Sequence, residues 1–120
     1  MKKFFEQAKA MEQEIITRRR DLHKHAESAW TEFRTASIVA QELTKLGYEV
    51  AVGDQVLKAE EMMGVPSANV LEKCQQRAIA EAADPQWVAR MTGGKTGVVG
   101  VMKFAKPGKT VAFRMDMDAN

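Results

Sequence analysis

The hydrophobic period of this sequence changes along the chain, and that change limits it to helices layered against a sheet. Phe4, Ala8, Met11, Ile15 and Leu22 recur at helical spacing, with Phe5 and Ile16 widening the stripe, so residues 3–24 are expected to form one amphipathic helix. A second helix is expected from Glu32 to Leu46, with Phe33, Ala36, Ala40, Leu43 and Leu46 on one face and Gly47 as the residue that ends it. Tyr48 to Val52 then alternates like a short strand. Residues 53–90 return to helical character as an insertion. Leu57 to Met63 reads as helical, Gly64-Val65-Pro66 as a break, and Asn69 to Ala83 as another helix. Asp84-Pro85 opens a short one, with Asp as N-cap and Pro at the first helical position. Thr96 to Phe104 and Thr110 to Met117 are strand-like runs joined by Ala105-Lys106-Pro107-Gly108-Lys109, and are expected to pair as an antiparallel hairpin.

With 120 residues, 45% of them hydrophobic, there is material for one modest core and not two. The fold class expected is α/β, amphipathic helices packed on a mixed sheet. A net charge of +2 offers no large field for steering nucleic acid or membrane, and no run approaches the roughly eighteen apolar residues of a membrane span. Neither partner is expected. Cys74 is the single cysteine and cannot form an internal disulfide, and Glu6 interrupts the apolar stretch that a signal peptide requires, so a cytoplasmic location is the default.

The stretch TGGKTGVVG, from Thr92, contains Gly-Lys-Thr but fails as a phosphate-binding loop. Ala89 stands where the earlier glycine belongs, and a β-branched run follows in place of a helix. Gly93 and Gly94 read instead as a helix stop. Arg18-Arg19-Arg20 reads as a solvated helix face or an anchor for acidic groups nearby. His23, His25 and nearby Glu27 invite a metal reading, but histidines two apart point away from each other on a helix and could chelate one ion only if the helix had already ended; the plain reading is one histidine fixing the helix end and one exposed. Cys74 reads as a buried thiol, and Trp30 and Trp87 as packing anchors.

The final run carries the acidic pair that draws attention as a site. Period two places Ala112, Arg114, Asp116 and Asp118 on one face, opposite Val111, Phe113, Met115 and Met117. Two ionised carboxylates at a strand separation of about 6.6 Å repel by about 2.5 kcal/mol at an effective dielectric near 20. Arg114, a bound cation, a histidine or a retained proton are the candidates for compensation. Sites in open α/β sheets lie beyond the carboxyl ends of strands, where this pair falls, although a strand leaving a core also turns polar for no chemical reason.

The order RRDLHKHAESAWTEFRTA from Arg19, LGYEV from Leu46, GKTGVVGVM from Gly94 and PGKTVAFRMDMDA from Pro107 resembles the start of the co-catalytic metal amidohydrolases, the hippurate and indoleacetyl-amino-acid hydrolase group. The chain departs from the group's usual HxxPE at Ala26, and its helical insertion is longer than most. The resemblance implies the N-terminal portion of a zinc-peptidase-like catalytic domain with two divalent ions, Mn or Zn. Such enzymes cleave the amide of an N-acyl amino acid such as aminobenzoyl-glutamate with metal-activated water, and act as homodimers or two-subunit hydrolases. It puts Asp116 where related peptidases have a metal-ligand histidine, and Asp118 where they have the aspartate that orients the site. In this group the ligands come mainly from a later Cys-Gly-His-Asp-like motif. No metal ligand is therefore assigned here, Asp118 is the better candidate for a supporting catalytic role, and Asp116 is the second. With the main ligands and the catalytic glutamate absent from these residues, the chain alone is expected to bind no catalytic metal tightly and to hydrolyse nothing. The alternative is a non-enzymatic binding or regulatory module that pairs an exposed sheet edge with another chain. A magnesium site for phosphoryl transfer is weaker still, since it needs the nucleotide loop that fails at Ala89.

Overall fold

Helix α3, Phe33–Lys45, is the element on which the other elements converge in the computed structural model, which describes residues 1–119. Its inward face, Phe33, Ala36 and Ala40, is fully buried, as the helical spacing of those residues requires. It ends through a Schellman arrangement: the Gly47 N–H donates to the Thr44 carbonyl and the Tyr48 N–H to the Leu43 carbonyl, both at 3.0 Å, with Gly47 at φ 87°. Leu46, placed on the apolar face by periodicity, is 65% exposed; it is the C-cap residue, and the chain turns away at Gly47 immediately after it.

The expected N-terminal helix is two, α1 (Lys2–Ala10) and α2 (Glu12–Lys24), joined at Met11, whose N–H is shared between the Gln7 and Ala8 carbonyls. Its apolar stripe is real but uncovered here, with Phe4, Phe5, Met11 and Ile15 all more than half exposed. Arg18 reaches Glu14 and, across to α3, Glu42, both at 3.5 Å.

Strand β1, Glu49–Val52, pairs antiparallel with β2, Val98–Val101, in the register Glu49 to Val101 and Val52 to Val98. The class is thus the expected one, helices on a small antiparallel sheet, but the pairing within it differs. Thr110–Met117 joins neither helix nor strand, and the hairpin is not formed. The reason lies in packing. Pairing with β1 sets both strands against α3 and brings Val50, Val52 and Val98 to the core, whereas Val111, Phe113 and Met115 stay 72–82% exposed.

Between the strands lie a 3-10 turn at Gly53–Gln55, a second at Ala59–Glu61, α4 (Ala68–Ala80) and α5 (Pro85–Val88). The helix expected over Leu57 to Met63 shrinks to that second turn, since so short a stretch nucleates poorly and Met62 is already extended. Asp84 caps α5 as anticipated, its carboxylate accepting the Gln86 N–H at 2.9 Å. Leu71 and Ala78 of α4, Val88 of α5 and Met91 complete the core. Among the described residues no helix is long and apolar enough to cross a membrane.

Candidate functional site

The acidic segment is held to the body at two points. Met117 packs half-buried against the core cluster, and the Ala119 N–H donates to the Glu27 carbonyl at 2.8 Å. Between these anchors Asp118 is exposed. Asp116 is exposed as well and receives Arg114 Nη2 at 2.8 Å, so the arginine of the same face compensates one carboxylate of the pair. Two side chains at i and i+2 of an extended segment meet in this way because they project to the same side.

Glu27 lies opposite, in the turn between α2 and α3, and is 2% exposed. Its Oε1 accepts the Arg34 N–H at 2.9 Å, and its Oε2 accepts both the Thr35 N–H and the Thr35 hydroxyl at 2.8 Å. Those N–H groups belong to the first turn of α3, whose N-cap residue, Glu32, makes no side-chain cap bond. The glutamate thus does the capping from further upstream, and a carboxylate is favoured there by the helix dipole. Glu32 is turned elsewhere, accepting the Thr96 hydroxyl at 2.7 Å inside the protein.

A cavity of about 340 Å³ opens beside this junction, bounded by Glu27, Ser28, Thr31, Cys74, Arg77 and Ala119. Ala26, Pro66 and Val70 add apolar wall, the Thr31 hydroxyl is already bonded to the Ser28 carbonyl at 2.7 Å, and Arg77 lies on the exposed side. Cys74 is only half-buried, less enclosed than its helical context suggested.

The histidines divide as their spacing indicated. His25 closes α2, with its ring Nδ1 3.0 Å from the Asp21 carbonyl, and His23 is exposed. Trp30 stands at φ 66°, a conformation a bulky residue rarely adopts, and donates its indole N–H to the Met63 carbonyl at 2.9 Å. Trp87 packs on the core with Arg90 over its ring at 4.6 Å. Among the described residues no three His, Cys, Asp or Glu side chains gather as they would around a metal ion. Sequence reasoning singled out Asp116 and Asp118 and met Glu27 only beside the histidines, in a metal reading that it set aside, so the capping role of Glu27 went unseen. Little in the sequence signals that role, since Thr31 directly precedes the helix expected from Glu32 and reads as its N-cap.

No family model matches the chain. It is 46% identical over 101 residues to one subunit of the p-aminobenzoyl-glutamate hydrolase of Escherichia coli (strain K12), a match covering 84% of this chain and 23% of that protein. It is 45% identical over 106 residues to indole-3-acetyl-aspartic acid hydrolase of Enterobacter agglomerans, covering 88% and 24%. The chain therefore spans about a quarter of the length of the curated relatives it matches. The crystal structure of the aminobenzoyl-glutamate utilization protein of Klebsiella pneumoniae superposes with a TM-score of 0.91 at 43% identity, over 95% of this chain and 29% of that one.

Proposed function

From the homology of this chain to the aminobenzoyl-glutamate and indoleacetyl-aspartic acid hydrolases, we propose that it is part of the catalytic domain of a metal-dependent amidohydrolase. The substrate class is an N-acyl amino acid, cleaved at the amide next to the amino-acid carboxylate. The observation that carries this reading is the agreement of two such hydrolases with the same residues at nearly equal identity over more than four-fifths of the chain. In this reading residues 1–120 are the N-terminal part of that domain, with residues 53–90 as a helical insertion, and the enzyme is cytoplasmic and works as a homodimer or as one of two different subunits. The Escherichia coli relative is by its name one subunit of a larger hydrolase, which supports the second arrangement.

Two divalent ions, Mn or Zn, belong to the proposed chemistry. The described residues do not by themselves fit a cage for them, since Asp116 is already taken by Arg114 and no cluster of three donors is present. The ligands are assigned to other segments, and the part assigned to this chain is that of Asp118. Exposed between two anchored neighbours, it is free to hold a neighbouring donor by hydrogen bonding, with Asp116 in a lesser role.

The test is to assay the complete enzyme carrying this segment for amino-acid release from aminobenzoyl-glutamate and indoleacetyl-aspartate, before and after chelation, beside the 120-residue chain alone. Chelator-sensitive hydrolysis by the complete enzyme, strongly reduced by Asp118→Asn, and none by the chain alone are the expected results. A complete enzyme inert toward every N-acyl amino acid tried overturns the reading, and so does chelator-sensitive amidase activity in the isolated chain.

A further inference from the structure

We infer that Glu27 is a positioning residue for Asp118, acting through the peptide that links Asp118 to Ala119; the inference rests on the reading of Asp118 given above. Glu27 has two separate functions in one residue. Its buried carboxylate is saturated by three donors at 2.8–2.9 Å from Arg34 and Thr35, which pins the turn between α2 and α3 onto the first turn of α3. With the side chain so fixed, the main-chain carbonyl of the same residue is presented outward and receives the Ala119 N–H at 2.8 Å. That N–H lies in the peptide plane leaving the Asp118 Cα, so accepting it fixes the chain direction immediately after Asp118. Met117, packed on the core, fixes the chain immediately before it.

The Asp118 backbone is thereby bracketed while its side chain, which makes no hydrogen bond among the described residues, remains available. Residues 103–116 have no comparable hold, being almost entirely exposed and outside any strand. The clamp therefore acts at the one point of the segment where orientation matters to the proposed chemistry. Glu27 itself is not an acid or a base in this arrangement, since both of its oxygens are occupied by N–H and O–H donors inside the protein.

The test has two arms. In the chain itself, amide hydrogen exchange at Ala119 is expected to be about five- to tenfold slower than at Lys106 or Gly108 after correction for local sequence, the protection of one weakly buried hydrogen bond. Glu27→Gln puts an amide N–H against a backbone N–H and is expected to abolish that protection. Thr96→Val, which removes a buried hydrogen bond at the same end of α3, is expected to lower stability but leave Ala119 protected. Should Glu27→Gln fail to fold, Thr35→Val removes one donor of the three and is expected to give intermediate exchange. An unprotected Ala119 in the unaltered chain, or equal loosening by Thr96→Val, overturns the proposal. In the complete enzyme, Glu27→Gln is expected to lower kcat by about tenfold with KM held within about twofold, the pattern of a lost orienting contact. Unchanged kcat in an enzyme that Asp118→Asn does inactivate also overturns it. If Asp118→Asn leaves the enzyme active, the reading of Asp118 is what fails, and the exchange arm still decides whether Glu27 holds the segment.

Discussion

Arg34 and Asp21 are joined through a single guanidinium nitrogen: Nη2 lies 3.0 Å from Oδ1 and 2.9 Å from Oδ2 of the aspartate. The arginine side chain is 9% exposed and the aspartate 39%, so the pair sits at the edge of the core where α2 crosses α3. Arg34 Nε adds a bond to the Glu81 carbonyl at 2.7 Å, tying in the end of α4. Asp21→Ala leaves a buried cation without its counterion, an error that costs about 1–3 kcal/mol when the missing partner is itself partly solvated. Urea denaturation is expected to show that loss with an unchanged m-value. A loss below about 0.5 kcal/mol, the level of an ordinary surface change, would mean that the pair does not stabilise the fold.

Asp84 serves two helices at once. It caps α5 through Gln86 at 2.9 Å, receives Gln41 Nε2 of α3 at 2.9 Å, and donates its own N–H to the Ser37 hydroxyl at 3.0 Å. Asp84→Ala is expected to cost about 1–2 kcal/mol, the upper range for a lost N-cap because a partner on another helix is lost too. Asp84→Asn keeps an acceptor for the cap and is expected to cost much less. Equal urea midpoints for the two variants would contradict this account.

Gly53 and Gly64 both have positive φ, 64° and 70°, but differ in surroundings. A Cβ at Gly53 would lie 2.0 Å from the Arg90 carbonyl oxygen, while one at Gly64 meets nothing within 4 Å. Gly64→Ala is expected to cost about 1–2 kcal/mol from backbone conformation alone. Gly53→Ala must also separate β1 from the stretch around Arg90 and is expected to lower the melting temperature further, with loss of β1–β2 amide protection. Similar melting temperatures for the two variants would count against the close approach.

Glu42 ionises more readily than an ordinary glutamate, chiefly because Lys45 donates to it at 2.9 Å, with Arg18 adding favourable charge. A folded pKa depressed in this way stabilises the folded chain above the unfolded glutamate range, and the contribution disappears as pH falls through the folded value. An NMR titration is expected to place the Glu42 carboxyl below that of an unpaired glutamate, with Lys45→Met bringing it back most of the way and added salt weakening the shift. A carboxyl that Lys45→Met leaves in place would reassign the cause to Arg18.

Features that depend on neighbours in sequence were legible from sequence. The Gly47 stop of α3 and the Asp84-Pro85 start of α5 are encoded within four residues, and the buried face of α3 follows from spacing. Partner choice was not. Alternation in Thr110–Met117 announces an extended chain but says nothing of what lies beside it, and the strand that β2 selects is the one sharing α3. The single residue that divides α1 from α2, Met11, carries no breaker signal at all. At the candidate site the acidic pair was visible as a pattern, while the capping role of Glu27 was not, because it depends on amide groups seven and eight residues away and on a carbonyl contact to Ala119.

The two strands that pair in the sheet are separated in the chain by the whole of residues 53–97. Closing so long a loop before any ladder bond forms is entropically slow, and α4 and α5, which pack on α3 between the two strands, would shorten the search if they docked first. Sheet formation is therefore expected to come late in folding. A chain whose helical insertion is weakened should reach its helical content at the usual rate and acquire its β1–β2 protection only after a delay.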